Sequence, residues 1–310
     1  MAVNMKGKSL ISIADLSIEE IYQIFEVSKS LKLKLFTGEP HRILEGKTLG
    51  MIFSKPSTRT RVSFETGIYQ LGGIGLYLGP NDLQLKRGES ISDTAKVLSR
   101  YLNGIMIRTF NHRDVIDLAR YGSIPVINGL TDLLHPCQVL SDLFTILEKK
   151  KTLKGLKLAY IGDGNNMAHS LLNGCSKVGI NISIAAPKGY KPNEDIVTKA
   201  KEFAAYMGSK VEILDNPAEA VKNADVIYTD VWASMGQEAE AKERIKRFEG
   251  FQVNEELVKL AKEDYLFMHC LPAHRGEEVS DNICDSPNSI IFDEAENRLH
   301  VQKAIMALLM

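Results

Sequence analysis

Cysteine is scarce in this chain. There are four in 310 residues (Cys137, Cys175, Cys270 and Cys284), widely spaced and forming no Cys-x-x-Cys pair. A zinc ribbon or a disulfide scaffold is therefore not expected. An excess of one charge is missing too: Lys+Arg is 38 and Asp+Glu is 39, for a formal net charge of −1. That balance argues against a non-specific nucleic-acid binder. No apolar run approaches the roughly 20 residues of a membrane helix. The opening Met1-Ala-Val-Asn-Met-Lys-Gly-Lys8 lacks the apolar core and cleavage site of a signal peptide. Low-complexity tracts and internal repeats are also absent. The expectation is a soluble, cytoplasmic protein without a nucleic-acid or membrane partner. Its 44% hydrophobic and 25% charged residues are those of ordinary globular proteins. At about 150 residues per domain the length predicts two of them.

The first helix is signalled by Ser17-Ile-Glu-Glu20, which reads as a capping box. Ile18, Ile21, Ile24, Phe25 and Leu31 follow at helical spacing, with Ser28 interrupting the apolar stripe. Strands are predicted at 48–53, 74–78, 104–108 and 125–128, and helices at 62–71, 92–101, 113–121 and 138–149. The lysine-rich stretch between Lys149 and Gly155 reads as a boundary, giving domains 1–150 and 151–310. Beyond it, strands are predicted at 156–161, 180–185, 211–214, 225–229, 265–269 and 289–292. The closing segment Ala304–Leu309 is helical in pattern and expected to pack back across the boundary. Alternating strands and helices imply parallel pairing through crossovers. The fold class is thus α/β, as two doubly wound parallel-sheet domains with the active site in the cleft between them. Ligands of such sheets bind beyond the carboxyl ends of the strands.

Polar residues just after predicted strands are therefore the candidates. Ser57-Thr58-Arg59-Thr60-Arg61 lies between a strand and a helix. Three hydroxyls, two guanidiniums and a helix start converge there, a combination suited to phosphate. The competing reading, a cap with solvated arginines, is outweighed by the strand-loop-helix context. Arg108 closes an apolar strand, and His135-Pro136-Cys137-Gln138 opens a helix. His135 and Gln138 carry donors that suit a carbonyl oxygen and an amide, although a lone histidine before proline is often structural.

In the second half, Gly162-Asp-Gly-Asn165-Asn166 is close to a dinucleotide fingerprint, but Met167 stands at the third glycine position. The next strand runs into Ala185-Ala186-Pro187 without the acidic residue that binds a ribose, so a nicotinamide cofactor is disfavoured. Asp230 closes another strand ahead of Ser234-Met235-Gly236, where it could equally cap a helix. His269-Cys270-Leu271-Pro272 ends a third. A phosphate site in one domain and an acidic, amide-bearing site in the other suggest joining an anionic phosphate compound to a small cationic one.

These segments resemble the motifs of the aspartate/ornithine transcarbamylase family, in particular of its ornithine-using members. The likeness runs in order through Ser57–Arg61, His135–Gln138, Asp230–Gly236, His269–Pro272 and Glu296-Asn-Arg298, nearly the whole chain. The resemblance implies carbamoyl phosphate and L-ornithine as substrates, and no metal or organic cofactor. It also implies a homotrimer, or a multiple of trimers. By that resemblance Ser57, Thr58, Arg59 and Thr60 bind the phosphate. Arg108, His135 and Gln138 hold the carbamoyl end, with Pro136 and Cys137 in the same motif. Gln84 matches a glutamine that reaches into the neighbouring subunit's site. Asn166, Asp230, Ser234 and Met235 match ornithine-binding positions, and Cys270, Leu271 and Arg298 close over the reacting groups. Arg108, His135, Asp230 and Cys270 are the expected catalytic residues. Aspartate as acceptor would call for basic residues where Asp230 stands. Putrescine lacks the α-carboxylate, and an acylated ornithine needs more room. A catalytically silent homologue is disfavoured by the completeness of the motifs.

Overall fold

The computed structural model describes residues 2–83, 88–233 and 238–310. The chain divides into two compact units, one made of Met1–Phe144 with Glu296–Met310 and the other of Thr145–Ala295.

The first unit is built on strands β1 (Thr48–Phe53), β2 (Ile74–Leu78), β3 (Gly104–Arg108) and β4 (Val126–Leu130). They pair in parallel in the order β2-β1-β3-β4. From β1 the chain goes to one side for β2, then returns to the other for β3. The order therefore reverses between β1 and β3, and Phe53 lies opposite Arg108 there. The helix Thr58–Gln70 follows β1. It starts four residues before the apolar periodicity does, because Ser57 caps it and accepts from the Thr60 N–H at 3.3 Å. In the first helix, Ile18–Phe36, both halves of the capping box form. Ser28 interrupts its stripe at no loss, since the buried hydroxyl donates to the Ile24 carbonyl at 2.6 Å. Ile52, Ile105, Ile107, Val115, Leu118 and Val126 pack as a core beside the sheet.

The second unit holds β5 (Lys157–Ile161), β6 (Asn181–Ala185), β7 (Val211–Leu214), β8 (Val226–Thr229) and β9 (Leu266–His269). All pairs are parallel and the order is β7-β6-β5-β8-β9, so the reversal falls between β5 and β8. Its core gathers Ile161, Ile227, Trp232, Phe248 and Phe267.

One expected strand is not there. Residues 289–292 make a single bridge, Ser289 to Phe267, and a helix then runs from Ile291 to Leu309. Ile290-Ile291-Phe292 is too short an apolar run for its period to decide between strand and helix. The expected closing helix is the last third of this longer one. Among the described residues no helix is long and apolar enough to cross a membrane.

Candidate active site

At each switch point the chain places polar groups just past the strand ends. After β1, Ser57 caps the helix whose first residues are Thr58, Arg59 and Thr60. Backbone N–H groups in a first helical turn have no intrahelical acceptor and point at whatever sits beyond. Arg108 ends β3, where the pairing with β4 shifts register between Ile107 and Arg108. Its Nη1 donates to Thr60 Oγ1 at 3.4 Å. Arg298, 3% exposed in the last helix, donates to the same oxygen from Nη2 at 3.1 Å. Its Nη1 donates to Gln138 Oε1, and Gln138 in turn donates to Asp142 at 2.8 Å. Pro136 opens the helix Pro136–Lys150, where its missing N–H is no loss. Four sequence segments far apart in the chain thus meet around the Thr60 hydroxyl.

This cluster is strongly cationic. His135 is buried, and burial pushes its pKa well below the ordinary value, aided by the charges of Arg298, Arg108 and Arg59. The imidazole is therefore neutral and can donate one N–H without adding charge. The Cys137 thiol donates to the Asn128 carbonyl at 3.3 Å, and burial pushes its pKa up to about 12. It is an inert, packed group. Gln84 lies outside the described residues.

In the second unit Asp230 follows β8 and is 7% exposed. Its Oδ2 accepts from Asn165 Nδ2 at 2.8 Å, and its Oδ1 accepts from the Val231 N–H at 2.9 Å. Cys270 Sγ, just past β9, donates to Oδ1 at 3.2 Å. Asn165 also caps the helix Asn166–Val178, leaving Asn166 as its first residue. Asp230 and Cys270 are brought together; Ser234 and Met235 lie outside the described residues.

Leu271 has φ +57, a backbone conformation disfavoured for a branched side chain. Its N–H donates to His269 Nδ1 at 2.8 Å, which leaves the ring proton on Nε2, facing Glu278 Oε1 at 3.2 Å. His269 and Glu278 are both fully buried. Asn165 and Glu278 escaped sequence reasoning. Asn165 stands inside a glycine-rich loop that reads only as an incomplete cofactor fingerprint. Glu278 stands in Arg275-Gly-Glu-Glu278, which reads as a solvated charge run.

The fold and these clusters define an α/β protein of two parallel sheets, with a cationic cluster at one switch point and an acidic, amide-bearing cluster at the other. A model of the aspartate/ornithine carbamoyltransferase carbamoyl-P binding domain matches residues 8–148. A model of that family's Asp/Orn binding domain matches residues 154–309. The chain belongs to the aspartate/ornithine carbamoyltransferase family. It is 61% identical over 310 residues to the ornithine carbamoyltransferase of Thermococcus kodakarensis, covering 100% of this chain and 98% of that one. The solved ornithine carbamoyltransferase of Pyrococcus furiosus is 59% identical, with a TM-score of 0.97 and coverage of 100% and 99%. The Giardia lamblia ornithine transcarbamoylase structure, at 32% identity, still has a TM-score of 0.88 over 97% of both chains.

Proposed function

We propose that the protein transfers the carbamoyl group of carbamoyl phosphate to the δ-amine of L-ornithine, giving L-citrulline and inorganic phosphate. What carries the reading is the full-length identity of 61% to an ornithine carbamoyltransferase. The arrangement of Arg108, Arg298 and Gln138 about Thr60 supports it.

The first turn of helix Thr58–Gln70, with the side chains of Ser57, Thr58 and Arg59, binds the phosphate and neutralises it as it leaves. Negative charge grows on the carbonyl oxygen as the amine attacks. Arg108, neutral His135 and the Thr60 hydroxyl stabilise it; losing one such donor costs about 3 kcal/mol in the barrier. Gln138, in the motif with Pro136 and Cys137, orients the carbamoyl amide, and Arg298 holds Gln138 in place. Asn166, Asp230, Ser234 and Met235 bind ornithine. An alkyl ammonium has a pKa of roughly 10 and attacks only as its free base. Asp230 and Cys270 orient the amine and help remove its proton, while Leu271 closes over the carbamoyl group. The remaining rate gain comes from holding two reactants in line. Carbamoyl phosphate is already activated, so the reaction calls for no metal or organic cofactor.

The assembly belongs to the same proposal. We read it as a homotrimer in which Gln84 completes a neighbouring site. Strand β2 supports this: it ends the sheet and exposes Ile74 and Leu76, at 63% and 44%, and Tyr69 near the end of the preceding helix is 78% exposed. An apolar edge of this kind invites cover by another chain. Two small, charged substrates favour the cytoplasm as its location.

Citrulline formation from carbamoyl phosphate against a panel of amine acceptors tests the reading. Turnover with ornithine and none with aspartate or putrescine is expected. Equal turnover with aspartate, or no citrulline at all, overturns it.

A further inference from the structure

Arg244 takes no part in the reaction as derived, yet its environment is the most constrained of any arginine in the second unit. It lies on the short helix Ala241–Arg247 and is 6% exposed. Nη1 donates to Asp163 Oδ2 at 2.9 Å and to the Trp232 carbonyl at 2.9 Å, while Nε donates to Glu240 at 3.1 Å. The guanidinium carbon sits 5.0 Å from the centre of the Tyr190 ring. Tyr190 packs on Phe248, which stacks on Trp232 at 5.5 Å.

The two loops that Arg244 joins are those that carry the amine-side groups. Asp163 lies in the loop after β5, two residues before Asn165. Trp232 lies in the loop after β8, two residues past Asp230. The strands are neighbours, with Ile161 opposite Thr229. The guanidinium therefore spans the same gap as the Asn165–Asp230 hydrogen bond. One side of the gap is closely packed. Gly164 donates to the Tyr190 carbonyl at 2.7 Å, and a Cβ there would come within 2.3 Å of the Pro192 nitrogen. The loop after β5 is thus wedged in place, and the loop after β8 is the one that a lost bridge would release.

Charge points the same way. Asp163 and Asp230 repel each other, and burial pushes the Asp163 carboxyl up to about 6 even with Arg244 beside it. Without the guanidinium, the Asp163 carboxyl would lose the charge that lowers its pKa and would stay buried near Asp230, with the Asn165 amide still joining the two loops.

We propose that Arg244 is a positioning residue for the amine substrate: by bridging Asp163 and the Trp232 carbonyl it sets the Asn165–Asp230 pair that receives ornithine. This rests on the reading of the second unit as the ornithine-binding one. Citrulline production by the unaltered protein tests that reading separately.

The experiment compares the Michaelis constants of both substrates in R244Q, D163N and the double variant. In R244Q the KM for ornithine should rise at least tenfold while that for carbamoyl phosphate stays within twofold. D163N should raise the ornithine KM in the same direction. The double variant should be no worse than R244Q by more than twofold, because both changes open one bridge. An ornithine KM within twofold of the unaltered protein, or equal increases for both substrates, overturns the proposal. Should R244Q not fold, R244K retains the charge but cannot reach both oxygens from one planar group. It should show a smaller rise confined to ornithine, and no rise overturns the proposal equally.

Discussion

At the scale of single residues, the proposed reaction puts the two substrates on separate clusters. Arg59 sits in the first helical turn beside Ser57 and Thr58, where the proposed reaction needs its charge for the phosphate. Alanine in its place should remove a charge-assisted contact of about 1.5–3 kcal/mol. The KM for carbamoyl phosphate should then rise by roughly one to two orders of magnitude, and an unchanged saturation curve would contradict the anion-site assignment. Asp230 offers the complementary test. Asparagine there keeps the shape but cannot take up charge, and it weakens the contacts from Asn165 and Cys270. Steady-state kinetics should show ornithine use damaged and carbamoyl-phosphate binding spared; equal damage to both would refute the division. His135 illustrates why burial matters as much as identity. An exposed histidine would titrate near neutrality, whereas this one is kept uncharged by burial and by three arginines.

Among elements, the helix Ile291–Leu309 carries an unusual polar load. His300 and Lys303 are both buried on it, and Lys303 donates to Gln70 Oε1 at 2.9 Å. Burial first, then the charges of Lys303 and Lys32 and the nearby His41, push the His300 pKa down to about 3. The unfolded chain takes up a proton at about pH 6.5, whereas the folded one does not until about pH 3. Stability contributed by the neutral ring is therefore complete above pH 6.5 and is lost as the pH falls below it. Between pH 7 and pH 5 the loss from this residue is about 2 kcal/mol. Urea unfolding at those two pH values should show that drop, and His300→Gln should abolish most of the difference between them. A variant with the same pH dependence as the unaltered protein would show that His300 is already protonated when folded.

For the whole molecule, the open edge at β2 is the feature with the largest consequence. Ile74 and Leu76 on that edge are exposed, and Gln84 follows it in the chain. Light scattering should give three times the chain mass, or a multiple of it. Leu76→Lys should lower that mass and the activity together, since a site completed by a neighbour fails when the neighbour leaves. Full activity in a monomeric variant would exclude a shared site.

What the amino-acid order determined by itself was periodicity and local chemistry. Strands 48–53, 74–78, 104–108 and 211–214 follow from apolar runs bounded by polar turns, and their bounds coincide with the observed ones. The capping box at Ser17 and the hydroxyl-arginine turn at Ser57 are equally local, because a helix start is made by residues three apart. Residues 289–292 went the other way, since the three-residue apolar run Ile290–Phe292 has no period of its own. Only the tertiary structure decided which distant groups share an atom or a burial site. Arg298 and Arg108 meet at Thr60 across 238 and 48 residues of chain, and Arg244 reaches Asp163 across 81. Burial likewise turned Glu278, in a charge run that reads as solvated, into a fixed partner of His269. Desolvation depends on what the rest of the chain packs around a group, and no short stretch of sequence carries that information.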